Sequence, residues 1–267
     1  MRGSVARRVL RRRTLPLVKR IVVALAVVVA LVVGGPWVYI NLIRDEAPDA
    51  LTLPAPTTVE GSSTDDSDAT AGGSTTTEAT STTASAATEG GESGGVAGEW
   101  VAAIGSVAGY RVEEVLFGQR VTAVGRTSSV TGEVEIDGTS VVAASFTVDL
   151  ASVASDDGKR DSQFRTRIMD VLNHPTATFV LASPIALPQS ALGGGEFTAR
   201  ATGDLTLRGT TRRVVLDLTA RLADGRIEIA GSTVVVFAEF EIPDPSLPGI
   251  STEDRGTLEV LLVMERS

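Results

Sequence analysis

Phe197-Thr198-Ala199-Arg200-Ala201-Thr202-Gly203-Asp204-Leu205-Thr206-Leu207 decides the fold, together with the turn Arg208-Gly209-Thr210 and the run Val214-Val215-Leu216-Asp217-Leu218-Thr219-Ala220-Arg221-Leu222. In the first run every second residue from Phe197 is apolar or small. The residues between are Thr198, Arg200, Thr202, Asp204 and Thr206. In the second run Val214, Leu216, Leu218, Ala220 and Leu222 share one face, opposed by Arg213, Asp217, Thr219 and Arg221. Strict alternation places successive side chains on opposite faces of a strand, so each run is a strand with one buried face. Two such runs at a tight turn read as a hairpin.

The same period recurs on both sides of this hairpin. Val142, Ala144, Phe146, Val148 and Leu150 share a face, with Ser145, Thr147 and Asp149 opposite. Shorter faces are Val130/Gly132/Val134/Ile136, Phe179/Leu181, Ile227/Ile229 and Leu258/Val260/Leu262. Asp137-Gly138 and Asp224-Gly225 are hairpin turns, because these residues tolerate positive φ. About eight antiparallel strands with one apolar face close into an up-and-down barrel, with a two-sheet sandwich as the alternative. One segment breaks the pattern. From Asp157 to Asn173 the apolar residues Phe164, Ile168, Val171 and Leu172 follow helical spacing. Asp156 or Asp157 caps its start, and Pro175 after Asn173-His174 stops it.

Toward the N-terminus the chemistry changes. Residues 1–20 form a basic tail with eight Arg or Lys residues, and 21–43 contain no charged residue. A run of that length matches the roughly 20 apolar residues that cross a bilayer. Trp37 and Tyr39 sit toward its far end, and Asp45, Glu46 and Asp49 follow. By the positive-inside rule this predicts a single-pass span in the cell membrane, with the N-terminus cytoplasmic and the C-terminal domain extracytoplasmic. A cleaved signal peptide is the competing reading, although the run is long and Pro36-Trp37-Val38-Tyr39 makes a poor cleavage site. Residues 44–98 are mostly Thr, Ser, Ala, Gly, Glu and Asp. Such a composition predicts a disordered linker, acting either as a tether or as tolerated low complexity. The remainder, 99–267, is long enough for one domain with its own core.

The net charge of −9 combines a basic tail with an acidic outer part. An acidic domain argues against nucleic acid, which needs a basic face. With no Cys there are neither disulfides nor thiolate chemistry, and a single His, His174, rules out a His-rich metal site.

Three further stretches bear on family. Ala151-Ser152-Val153 precedes Lys159-Arg160-Asp161-Ser162-Gln163-Phe164-Arg165; next comes His174-Pro175-Thr176-Ala177-Thr178-Phe179; last is Gly203-Asp204-Leu205-Thr206-Leu207-Arg208-Gly209-Thr210-Thr211-Arg212-Arg213-Val214. In this order they resemble the motifs of the YceI-like family of lipocalin-like, polyisoprenoid-binding proteins, over about 98–267. The chain departs from the family pattern at Gln163-Phe164, at Phe237-Ala238-Glu239-Phe240-Glu241 and at the proline-rich Pro243 to Pro248. The resemblance implies an all-β fold: an eight-stranded antiparallel lipocalin-like barrel with one short helix, here preceded by a transmembrane helix and a disordered linker. It also implies a long isoprenoid chain or quinone tail inside the barrel.

On this reading the lining is Phe146, Val148 and Leu150 on one strand and Phe179 and Leu181 on the next. Phe197, Ala199, Ala201, Leu205 and Leu207 follow, then Leu216 and Leu218. Small inward residues (Gly132, Ala144, Ala199, Ala201, Gly203, Ala220) leave room along the axis, or else match large residues opposite in a filled barrel. Arg160 and Asp161 are either contacts for a polar headgroup or a structural pair. The group Asp156, Asp157, Asp161, Asp170 and His174 contains acid–base chemistry, but capping and turn roles account for it, and no nucleophile, phosphate-loop or zinc motif accompanies it. The expected function is a non-catalytic lipid binder. No metal is expected, and no cofactor beyond a bound isoprenoid lipid or quinone. A filled-core interaction module of the cell envelope is the alternative.

Overall fold

The computed structural model describes residues 21–22, 24–25, 27–28, 46–55 and 95–267. Thirteen strand segments are found there: β1 (Gly98–Ala102), β2 (Val107–Leu116), β3 (Gln119–Thr127), β4 (Val130–Asp137), β5 (Ser140–Asp149), β6 (Ala154–Ser155), β7 (Thr176–Leu181), β8 (Ile185–Ala186), β9 (Phe197–Leu207), β10 (Thr210–Ala223), β11 (Arg226–Val236), β12 (Ile250–Thr252) and β13 (Arg255–Arg266). β1 and β2 form one long stave, and so do β3 and β4. The ring therefore runs β1/β2, β3/β4, β5, β7, β9, β10, β11, β13 and closes where β13 pairs both β1 and β2. Every pairing is antiparallel, so this is a closed eight-stranded barrel in chain order.

Two breaks in the staves have local causes. Between β1 and β2 the chain bulges, and the buried Ser106 hydroxyl restores the ladder by donating to the Val263 carbonyl at 3.2 Å and accepting from the Val263 amide at 3.0 Å. The second break lies in β5. Glu135 pairs Ala143 but Ile136 pairs Val141, which leaves Val142 as an extra residue. Val142 is exposed and Val141 faces inward, so the inward face read as Val142/Ala144 is corrected to Val141/Ala144. A bulge of this kind depends on the partner strand and reverses the local facing of side chains.

The helix is shorter than its periodicity suggests. α1 (Gly158–Gln163) is capped by Asp157, whose carboxylate accepts the Lys159 amide at 2.7 Å. It then widens into a π-helical turn, Phe164–Ile168, and ends at Met169. The wider turn brings Phe164, Ile168 and Met169 to the same side, toward the barrel interior. A one-turn helix, α2 (Gln189–Leu192), lies near the opposite end, where Ala191 is buried.

The core forms two clusters. One holds Leu150, Phe164, Met169, Leu205, Leu207 and Phe240; the other holds Trp100, Val134, Ile136, Ile227, Leu262 and Met264. Phe146 and Val148 pack against both.

Of the stretch read as linker, residues 46–55 lie on the outer wall of the barrel. Arg111 donates to the Pro48 carbonyl at 2.6 Å and Arg126 donates to that of Asp49. The Leu51 amide donates to Glu259 at 3.1 Å, and Arg221 donates to the Pro54 carbonyl at 2.6 Å. Over these residues the expectation of disorder is therefore replaced by a docked segment. Its half-buried Leu51 and Leu53 alternate with exposed Thr52 and Pro54. Residues 1–20 and 56–94 lie outside the described residues, as does most of the span predicted over 21–43. The described part of that span, Ile21, Val22, Ala24, Leu25, Val27 and Val28, is helical and exposed. Among the described residues no helix is long and apolar enough to cross a membrane.

Candidate ligand-binding site

The barrel encloses a cavity of about 280 Å³. Its lining positions on β9 run from Phe197 to Leu207. At about 3.3 Å per residue and a tilt of roughly 40°, those ten steps make a bore about 25 Å long. A bore of that length with a mostly apolar lining suits an extended chain better than a compact ligand.

All twelve residues read from sequence as lining face it: Phe146, Val148 and Leu150; Phe179 and Leu181; Phe197, Ala199, Ala201, Leu205 and Leu207; Leu216 and Leu218. The small inward residues divide into two groups. Gly132 and Gly203 lie under aromatic rings, with the nearest Phe146 and Phe179 ring atoms 2.3 Å and 2.2 Å from where a Cβ would stand. These two positions are filled. Ala144, Ala199, Ala201 and Ala220 line open space. The bore is thus open beside these alanines and filled by aromatic rings at Gly132 and Gly203.

Polar groups gather at the end beneath α1. Tyr110, Glu114, Arg160 and Thr252 line this end of the cavity. Tyr110 stacks on Phe164 with ring centroids 5.3 Å apart. Arg160 lies 3.6 Å from Glu114 and pairs with Asp156. Burial pulls the Arg160 pKa down, but Glu114 and Asp156 outweigh it and the net direction is up. Burial pushes the Tyr110 phenol well above its ordinary range, and Arg160 offsets part of this. The hydroxyl of Thr252, opposite Glu114 in the β12–β2 ladder, is buried with no hydrogen-bond partner among the described residues. Arg160 already faces two carboxylates, so this end supplies hydrogen bonding rather than net positive charge.

Asp161 does not face the cavity. Its carboxylate accepts from the Ser155 amide at 2.9 Å and hydroxyl at 2.7 Å, which ties α1 to β6. Arg160 and Asp161 are thus not partners of each other; each has its own role. The acidic group with His174 disperses as well. Asp157 caps α1, Asp170 accepts from Asn173 at 2.8 Å, and the His174 ring covers Gly209. Among the described residues no group of three or more His, Cys, Asp or Glu is placed to hold a metal.

Sequence reading missed Tyr110, Glu114 and Thr252. The signal was present for two of them, because Ala108-x-Tyr110-x-Val112-x-Glu114 alternates like the other staves. A Glu at its end disguises the inward face.

A family model described as the YceI-like domain matches residues 101–264, which is most of the chain. The chain belongs to the YceI-like family. A curated relative, a UPF0312 protein of Ectopseudomonas mendocina, is 32% identical over 133 residues, 45% of this chain. This chain spans 61% of that relative's length. Among solved structures, a polyisoprenoid-binding domain from Saccharophagus degradans implicated in plant cell wall breakdown superposes with a TM-score of 0.51 at 16% identity. That match covers 64% of this chain and 99% of the other. BcnA of Burkholderia cenocepacia gives a TM-score of 0.45 at 22% identity, covering 58% and 95%. At 16% identity the likeness to the Saccharophagus degradans domain speaks to the fold.

Proposed function

We propose that this YceI-like protein is a membrane-tethered, extracytoplasmic lipid binder. Its barrel sequesters or carries an isoprenoid, quinone-like or similar amphiphile. The observation that carries the reading is the bore itself: about 280 Å³, lined along its length mostly by apolar side chains, with Tyr110, Glu114, Arg160 and Thr252 together at the end beneath α1. That distribution matches an amphiphile with a long tail and a small polar head. Tail burial supplies the affinity, at about 25 cal/mol per Å² before ordering costs. At the polar end Thr252 and Tyr110 meet the head, and the neutralised Arg160 favours an uncharged head over a strongly anionic one. The tethering half of the proposal rests on residues 21–43, whose described part is helical with its side chains exposed. Binding rather than catalysis is proposed because capping and turn contacts account for the Asp/His group.

Native mass spectrometry of the full chain, released from mild detergent, followed by organic extraction, tests this. A discrete added mass that extracts as a polyprenyl or quinone species is expected. A bare mass that stays bare after incubation with isoprenoids would overturn the carrier reading in favour of a filled-core interaction module.

A further inference from the structure

The docked segment 46–55 lies across one lateral row of the outer wall. The ladder pairs Arg126 with Gly109, Gly109 with Glu259, Glu259 with Ser232, Ser232 with Asp217 and Asp217 with Arg200. Glu259 is central to this row. It points outward yet is only 2% exposed, because the segment lies over it. Its carboxylate receives Arg126 at 2.8 Å and the Leu51 amide at 3.1 Å. The small Gly109 and Ser232 on either side leave a shallow groove, and Leu51 and Leu53 lie along its continuation over Thr198, Asp217 and Ser232. The lengths agree. The five extended steps from Asp49 to Pro54 cover about 17 Å, close to the four interstrand spacings from β3 to β10, roughly 19 Å.

This placement changes what the long low-complexity stretch can do. The chain from 55 to 95 begins and ends on the barrel, so its length does not add to the distance from the predicted span. Only the residues between Ile43 and Pro48 do. Extended, those five steps reach about 17 Å. A free 55-residue coil would instead hold the domain at an average of about 40 Å, over a wide range.

We propose that residues 46–55 are a built-in clamp that holds the barrel at the membrane, with the β2–β3 wall toward the bilayer, and that 56–94 do not set its reach. The proposal rests on reading 21–43 as a span. It supplies what a lipid carrier needs, a bore kept beside the bilayer that provides its ligand.

The absence of Cys makes the test direct. R120C on β3 and V215C on β10 are labelled singly in the full chain, reconstituted in phosphatidylcholine vesicles carrying nitroxide headgroups. Strong quenching at position 120 and weak quenching at 215 is expected. The difference should survive deletion of 60–90 and be lost when 46–55 are replaced by Gly and Ser. Hydrogen exchange gives a second readout: the Leu51 amide should be protected in the intact chain. Equal quenching at both positions, a difference that survives replacement of 46–55, or an unprotected Leu51 would overturn the clamp. Extraction of the protein from the vesicles by alkaline carbonate would instead overturn the span, and the proposed orientation with it.

Discussion

Replacing Ala201 with Trp should stop lipid uptake without unfolding the barrel. Ala201 is 3% exposed, faces the bore and lies opposite Leu216 in the β9–β10 ladder. It stands four residue steps from Phe197 and six from Leu207, so an indole there divides the bore roughly two-fifths along its length. A tail entering from the polar end then loses the final four steps, about 10 Å of channel. Each buried carbon excluded removes about 0.8 kcal/mol, so expelling a single five-carbon unit costs about 4 kcal/mol, near a thousandfold in Kd. The cost to folding is smaller. Overpacking typically takes about 1–3 kcal/mol, against a usual stability of about 5–15 kcal/mol, and here empty space adjoins the new ring. Radiolabelled polyprenol binding reads the first effect and urea denaturation the second. A folded A201W protein that binds polyprenol as tightly as the parent would refute the assignment of this bore as the tail site. An unfolded one would show that the space beside Ala201 cannot accept the ring, and A199W, at a half-buried position, then repeats the test.

Other consequences concern stability. Arg126→Met should cost about 3–5 kcal/mol in urea titrations, because it leaves the Glu259 carboxylate buried without its cation; Glu259→Leu in the same chain should recover most of this. The Tyr110 phenol has a raised pKa in the folded state, so the unfolded chain loses its proton first, near pH 10. Its contribution is complete below that value and lost above it, so the fall in urea midpoint above pH 10 should be shallower in Tyr110→Phe. Gly203→Ala would set a methyl 2.2 Å from the Phe179 ring and 2.6 Å from the Val180 carbonyl. A loss of about 1–3 kcal/mol or more is expected in the same titrations, partly restored by Phe179→Leu, which relieves only the ring.

What was legible in the sequence follows from where each residue's environment is set. Phe197 to Leu207 read correctly because one face of a barrel stave meets the interior and the other meets water, and period two records that directly. The inward residues of β10 read correctly for the same reason. The bulge at Val142 could not be read this way. Val142 is as apolar as Val141, and the choice between them is made by the pairing of β4 with β5. The helix ended early because the π-helical turn, with the Met169 amide donating to the Phe164 carbonyl at 2.8 Å, brings Phe164, Ile168 and Met169 together at the bore. A period of 3.6 is blind to that arrangement.

The same reasoning explains why the polar features were the least legible. Arg160 and Asp161 are neighbours in sequence, which invites reading them as a pair. Adjacent helical residues diverge, however, so one meets Glu114 at the bore and the other Ser155 on β6. Glu259 sits between Leu258 and Val260 on an outward position, where a carboxylate ordinarily signals solvent. It is buried only because a segment more than two hundred residues away crosses it. That segment is itself marked by just two large apolar residues spaced by two, Leu51 and Leu53, within a proline-rich stretch. Each half of this contact is unremarkable alone. A buried charge is tolerated only when it is paired and hydrogen-bonded. Glu259 with Arg126 and the Leu51 amide meets that condition, so the low-complexity region of this chain begins with a structured element of the barrel.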